Sequence, residues 1–204
     1  MKSLISVVDI LDRLTKQFVE AKLYSGIDEA NLADFEARWL PLLAEKLQRA
    51  TPEELAQAQA QDARWNWRRK EAAWGHALSY QAFAVEADTV TQGLMYVSKH
   101  HHSRLPDHLG APVIYVEAIA TAPWNRPRFV PQPKYKGVGQ VLIQAAISLS
   151  IEEEYKGRIG LHALPQSDSW YRDALGMIDF GADPDAHDMH YFELTGEQAT
   201  KLIS

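Results

Sequence analysis

The chain has 204 residues, a formal net charge of -6 and no cysteine. Its 46% hydrophobic and 24% charged residues match an ordinary globular domain, which excludes a disordered tail and a coiled coil. The acidic excess argues against broad binding to a nucleic-acid backbone, and the missing thiol excludes a disulfide framework, a sulfur-ligated zinc site and a cysteine nucleophile. In chain order, Leu4 to Tyr24 predicts two short strands with a turn near Leu14–Gln17, because Val19, Ala21 and Leu23 alternate with Phe18, Glu20, Lys22 and Tyr24. Ala30 to Arg49 predicts a helix from the three- and four-residue spacing of Leu32, Phe35, Trp39, Leu42, Leu43 and Leu47, with Pro41 as a kink or restart. Thr51-Pro52-Glu53-Glu54 is a capping box that starts a second helix, running to Trp74 and stopped by Gly75. In that helix Trp65, Trp67 and Trp74 predict an aromatic seam against a sheet, with Arg64, Arg68, Arg69 and Lys70 as its solvated face.

The character changes at Ser79. Tyr80–Glu86 and Val90–Lys99 predict a hairpin around Ala87-Asp88-Thr89. A loop from His100 to Ala111 would hold His100, His101, His102 and His108, and Val113–Thr121 predicts a further strand. Pro123 to Tyr135 carries four prolines and reads as an irregular connection. Gly137-Val138-Gly139 opens a helix reaching about Glu154, apolar on most sides and therefore packed on more than one face. A strand at Arg158–Ala163, a short helix at Ser167–Leu175 stopped by Gly176, and a last strand at Met189–Leu194 complete the series. The order predicts an α/β (α+β mixed) domain: a central mixed, mostly antiparallel sheet with helices on both faces. Residues 1–75 read as an N-terminal helical elaboration packed on a core formed by 76–204. Neither a signal segment nor an apolar run of membrane-spanning length is present, so a cytoplasmic protein is the expectation.

The strand, glycine pair and helix over Val116–Glu153 carry the chemical information. Glycines at a helix start let the backbone approach a ligand, and the free N–H groups there favour an anion such as a phosphate. A plain loop-to-helix turn explains Gly-x-Gly equally well. No Gly-Lys-Ser/Thr follows, so this is not a P-loop. Leu142 stands where a dinucleotide fingerprint needs its third glycine.

Lys134-Tyr135-Lys136-Gly137-Val138-Gly139, followed by Trp170-Tyr171 and Gly176-Met177 and preceded by Ala118-Ile119-Ala120-Thr121-Ala122-Pro123, resembles the GNAT acyltransferase superfamily. The likeness covers about Tyr80 to Leu194. The whole run from Pro123-Trp124-Asn125-Arg126-Pro127 to Tyr191-Phe192-Glu193-Leu194-Thr195 also resembles one bacterial subfamily of the superfamily, one without a firm substrate. Lys134 replaces the usual Gln or Arg of the pyrophosphate loop. One extra residue separates Tyr171 from Gly176. Leu164-Pro165 stands where the family often has Asn. The resemblance implies acetyl-CoA as co-substrate, held by Lys134, Tyr135, Lys136, Gly137, Val138, Gly139 and Gln140. It also implies that the strand backbone at Ile119, Ala120 and Thr121 pairs with pantetheine and supplies an oxyanion N–H.

With neither cysteine nor a Gly-x-Ser-x-Gly elbow, direct attack of an amine on the thioester is the remaining route. Glu117, a carboxylate in an apolar strand, is the candidate base; partial burial would raise its pKa toward a useful range, and an outward-facing or Arg-paired Glu is the competing explanation. Tyr171 is the candidate acid, since a phenol of pKa ~10 is protonated at neutral pH. His100, His101, His102 and His108 do not make a metal site on this pattern, because adjacent histidines face one ion poorly and only Asp107 is near in sequence; no metal is expected. His162 reads as a satisfied core histidine. Asp183, Asp185, His187, Asp188 and His190 read as the loop before the last strand. The partners expected are acetyl-CoA and an amine-bearing acceptor, without membrane or nucleic acid; a homodimer is compatible with the sequence. A GNAT fold that senses or scaffolds acyl-CoA without turnover is the alternative. Action on charged tRNA is disfavoured by the acidic total, because Arg126, Arg128, Lys134 and Lys136 suffice only for CoA phosphates.

Overall fold

A computed structural model of the chain describes residues 2–49, 51, 62, 65–127 and 129–203. The strands are β1 (Ser3–Asp12), β2 (Phe18–Ser25), β3 (Tyr80–Ala87), β4 (Val90–His102), β5 (Pro112–Thr121), β6 (Tyr135–Lys136), β7 (Ile159–Ala163), β8 (Ile178–Asp183) and β9 (Met189–Leu194). The helices are α1 (Glu29–Asp34), α2 (Leu40–Arg49), α3 (Trp67–Trp74), α4 (Val138–Glu152) and α5 (Gly196–Ile203). The strands join in one sheet, ordered β6-β1-β2-β3-β4-β5-β7-β9-β8. Most pairs are antiparallel; β5 and β7 are parallel, linked by a crossover that contains α4. This is the mixed, mostly antiparallel sheet with flanking helices that the sequence predicts. Packing divides the chain into two compact units, Met1–Tyr96 with Ala118–Leu142, and Val97–Glu117 with Ile143–Ser204.

In the first unit, β1 and β2 form the expected hairpin, with Leu14 and Thr15 N–H groups donating to Asp12 at its turn. The β3–β4 turn has Asp88 at φ 53 and Thr89 at φ 61, the left-handed pair of a type I′ hairpin. Asp28 caps α1, and its exchange of hydrogen bonds with Asn31 closes a capping box. Pro41 is the second residue of α2, which restarts the helix at Leu40 as the sequence allows. A π-helical turn over Phe35–Trp39 takes up the misfit one turn earlier, with Leu40 N–H donating to Phe35 O.

The predicted helix from Thr51 to Trp74 falls largely on 52–61, 63 and 64, outside the described residues. Its described end is a separate helix. Asn66 has extended backbone (φ -115, ψ 102), and its side chain accepts from Arg69 N–H at 2.9 Å, so α3 starts there rather than continuing from Thr51. The tryptophan seam forms as expected. Trp67 stacks on Tyr96 of β4, and Trp74 stacks on Tyr80 of β3. These rings extend the buried cluster of Phe35, Trp39, Leu94, Ala118 and Ala120. Arg68 bridges Glu29 and Glu36, and Lys70 lies over the rings of Trp65 and Trp74. That face is exposed, so its ion pairs contribute little, on the order of 0–1 kcal/mol each.

In the second unit, Arg158 N–H donates to Tyr155 O, and the strand proper starts one residue later than predicted, at Ile159. The extra residue before Gly176 is absorbed by a π-helical turn over Trp170–Ala174, where Leu175 N–H donates to Trp170 O at 3.1 Å. A π turn is a one-residue insertion in a helix, so Gly176, at φ 67, still terminates the element. This unit has two elements beyond the predicted series. Strand β8 occupies part of the stretch taken for loop, and α5 follows the last strand with Thr195 and Gln198 in a reciprocal cap. Among the described residues no helix is long and apolar enough to cross a membrane.

Candidate active site

The glycine loop sits in the first unit on a firm base. Asp12 and Leu11 of β1 pair with Tyr135 and Lys136, while Lys134 N–H donates to Trp124 O and Tyr135 N–H to Asn125 Oδ1. Gly137 follows at φ 108, a conformation that only glycine adopts cheaply. Helix α4 begins immediately, and its first intrahelical bond runs from Val141 N–H to Gly137 O. The N–H groups of Val138, Gly139 and Gln140 therefore have no acceptor within the helix. Gly93 of β4 lets this helix end come close: a Cβ there would lie 2.7 Å from Val138 Cγ1 and 3.0 Å from Leu142 Cδ1.

The lysines differ in their engagement. Lys134 Nζ lies 3.3 Å from Asp88 and over the Tyr135 ring, and the Tyr135 hydroxyl donates to Asp88 at 2.7 Å. Lys136 is exposed. Arg126 holds Asp62 and donates to the Thr121 carbonyl at 2.6 Å, so this member of the basic cluster is taken up by protein groups. Arg128 lies outside the described residues.

Strand β5 alternates. Ile114, Val116, Ala118 and Ala120 are buried, whereas Tyr115, Glu117, Ile119 and Thr121 are half-buried on the other side. The parallel register with β7 covers Ile114, Tyr115 and Val116, and Glu117 to Thr121 continue past it.

Glu117 is held inside the second unit. Ser98 Oγ donates to its Oε1 at 2.7 Å, and His101 Nε2 stands 3.5 Å from the same oxygen. Burial pulls the Glu117 pKa up, but the hydrogen bonds from His101 and Ser98, with the charges of His101 and His100, outweigh it and hold the pKa below the ordinary value. This reverses the expected upward shift. The sequence showed the apolar strand around Glu117 but not the donors that reach it across the sheet. The histidines also move relative to expectation. His100 to His102 are the last residues of β4, and the loop starts at Ser103, closed by Ser103 N–H to Ala111 O and Gly110 N–H to Ser103 O. His100, His101 and Glu117 offer ligand atoms within 4.8 Å of one another, so Glu117 rather than Asp107 is the carboxylate beside this pair. The set is looser than a tetrahedral zinc site, whose ligands at ~2.0–2.2 Å stand about 3.3 Å apart.

Tyr171 is buried and makes ring contacts with Trp170 and Phe192. Burial, then the nearby Asp168 charge, push its pKa above the ordinary phenol value, so it keeps its proton at neutral pH. His162 is satisfied, as expected for a core histidine, but by functional groups. Its Nε2 lies 2.9 Å from Asp183 Oδ2 and its Nδ1 2.7 Å from the Tyr115 hydroxyl. Asp183 also accepts from Arg104 Nη1 at 2.6 Å and from Asp185 N–H at 3.0 Å. The polar residues 183–190 are thus not one solvated loop. Asp183 ends β8, and His190 on β9 contacts Asp179 of β8.

Hydrogen bonds from His162 and then Arg104 hold the Asp183 pKa at about 2. The unfolded carboxylate titrates near ~3.9, so this contribution is fully present above that pH and is lost as pH falls toward the folded value. Asp183→Asn should therefore be less stable than the parent at neutral pH and should lose less further stability between about pH 4 and pH 2. Denaturant unfolding across that range checks both parts.

No family model and no curated protein matches the sequence. Solved structures do match the fold. FeeM, an N-acyl amino acid synthase from uncultured soil microbes, superposes with TM-score 0.54 at 12% identity, covering 89% of this chain and 93% of its own. The PaiA N-acetyltransferase of Thermoplasma acidophilum, in complex with coenzyme A, superposes with TM-score 0.50 at 9% identity, covering 86% and 98%. At such identities the likeness is one of fold alone: the chain shares the fold of these two structures.

Proposed function

We propose that the chain transfers an acetyl group from acetyl-CoA directly to an amine acceptor. The observation that carries this reading is Glu117: a half-buried, ionised carboxylate held by Ser98 and His101, on the strand face it shares with Ile119 and Thr121. The acyl-transfer chemistry named for the two matching structures supports it, as does a loop whose Gly137 conformation and free α4 N–H groups suit a pyrophosphate.

In this mechanism the CoA phosphates lie against the N–H groups of Val138, Gly139 and Gln140. Lys136 adds positive charge, and Lys134 contributes less because Asp88 engages it. The backbone at Ile119–Thr121 pairs with pantetheine and donates an N–H to the tetrahedral oxygen. Glu117 takes a proton from the acceptor ammonium, nitrogen attacks the thioester carbonyl, and the C–S bond breaks. Tyr171 donates to the leaving sulfur. The alternative, a sensor that holds acyl-CoA without turnover, needs the glycine loop but neither Glu117 nor Tyr171.

A direct transfer passes through a ternary complex. Initial-rate lines against both substrates should intersect; parallel lines, or an acyl-enzyme adduct in mass spectrometry, contradict it. Tyr171→Phe should lower kcat while leaving acetyl-CoA affinity nearly unchanged. Its effect should be smaller than that of losing Glu117, because a thiolate of pKa ~8.5 is a tolerable leaving group without an acid. Steady-state kinetics beside calorimetry on the folded variant check this.

A further inference from the structure

We infer that Tyr115 is a second proton-handling group of the acceptor site, positioned by His162 and Asp183. The inference rests on the reading that Glu117 faces an ammonium acceptor. Amide formation from an ammonium strips two protons from one nitrogen. The first leaves before attack, and the second leaves the nitrogen of the tetrahedral adduct as the N–C bond is completed and the C–S bond breaks. One of the two protons ends on the departing sulfur, giving free CoA, and the other goes to water. A single carboxylate holds one proton at a time.

The geometry supplies the second acceptor. Asp183 is ionised and accepts from His162 Nε2, so that nitrogen carries the imidazole hydrogen. His162 Nδ1 then has a lone pair, and the Tyr115 hydroxyl 2.7 Å away must be the donor. The phenol oxygen keeps a lone pair for an incoming N–H. Tyr115 stands two residues before Glu117 on the same strand face. Its ring stacks on His101 at 4.1 Å between centroids, and His101 in turn contacts Glu117. Phenol, imidazole and carboxylate thus form one continuous patch.

The step balances. The acceptor nitrogen gives its proton to Tyr115 Oη while the Tyr115 proton passes to His162 Nδ1, leaving a neutral phenol and an imidazolium on Asp183. Burial, then the Glu117 charge, push the Tyr115 pKa up to about 12, so a free phenolate is costly and the two transfers must be coupled. The groups facing this chain are Asp183, Arg104, Tyr191, Glu193, Glu117 and His101. The Asp183 carboxylate lies directly behind His162, 2.9 Å from Nε2. A His162 imidazolium formed in the relay therefore pairs with the Asp183 charge.

The test is Tyr115→Phe, which keeps the ring on His101 and removes the hydroxyl. The expected result is a loss of about 10²-fold in kcat near neutral pH, shrinking at high pH where other bases take the proton, with unchanged acetyl-CoA affinity. His162→Gln should give a loss of similar size, and the double variant should be no worse than the weaker single variant. A folded Tyr115→Phe with parental kcat across the pH range overturns the inference, and so do additive losses in the double variant. Nitrogen NMR of His162 adds a readout independent of turnover: the hydrogen on Nε2 is expected, and the hydrogen on Nδ1 overturns it. If Glu117→Gln is harmless while Tyr115→Phe is impaired, the base reading fails and the Tyr115 relay stands as the first proton acceptor.

Discussion

Gly139→Glu should abolish acetyl-CoA binding. Val138, Gly139 and Gln140 present the free N–H groups of α4, directly after the left-handed Gly137. Any ligand phosphate gains from them because hydrogen bonds to a charged group are worth about 1.5–3 kcal/mol each. A glutamate at 139 puts a side chain and a like charge into that space, and losing two such bonds costs roughly 10²–10⁴-fold in affinity. Lys134→Ala makes the contrast. Lys134 is exposed and engaged with Asp88, so its removal should weaken binding only slightly. Calorimetry with acetyl-CoA reads both. Unchanged affinity in a folded Gly139→Glu variant rejects this loop as the phosphate site.

Glu117→Gln should lower kcat/KM by about 10²–10⁴-fold, the usual size of a general-base contribution. The lowered pKa of Glu117 sharpens the pH dependence. The carboxylate is already ionised at neutral pH, so the acceptor ammonium governs the rise of rate with pH. Full proton transfer from an amine of pKa ~10.4 to an unperturbed carboxylate of pKa ~4.3 costs about 8 kcal/mol, and the lowered pKa of Glu117 adds to that. That fits inside the barrier of about 16 kcal/mol for a turnover of about 10 per second, and it leaves the remainder for bond formation. The Gln variant should recover toward the parental rate at high pH, where free amine is abundant. A loss that stays constant from pH 7 to pH 10 assigns Glu117 to substrate placement instead.

The sequence disclosed what depends on local pattern. Alternation between Phe18 and Tyr24 marks β2, Ala87-Asp88-Thr89 marks a hairpin turn, and Gly137 ahead of an apolar run marks α4. Interruptions inside a good pattern were hidden. Asn66 is the extended N-cap of α3, its side chain accepting from Arg69 N–H, and nothing in the residue spacing shows this. Strand β8 is short and bent at Gly181, φ 81, so its alternation of Ile178, Asp179 and Phe180 is too brief to stand out. Thr195-Gly196-Glu197-Gln198 carries a local capping signal, and Thr195 and Gln198 exchange the two hydrogen bonds that start α5.

For the candidate site, Glu117 could be picked from its apolar strand, but its partners could not. Ser98 and His101 are three residues apart, which strict strand alternation would send to opposite faces, yet both reach the same carboxylate oxygen. Tyr115, His162 and Asp183 come from three strands and meet only through the sheet order. The extra residue after Tyr171 looked like a departure from the family pattern, and its resolution as a π turn needs the backbone.

The central claim is that acetyl-CoA bound here is spent on an amine. It is tested most directly by following free CoA release from acetyl-CoA with the purified protein over a panel of amines, amino acids and peptides. The account predicts release that depends on an acceptor, saturates in both substrates and falls in the Glu117→Gln variant. Saturable acetyl-CoA binding with no acceptor-dependent release across the panel would contradict transfer and leave the fold as an acyl-CoA sensor.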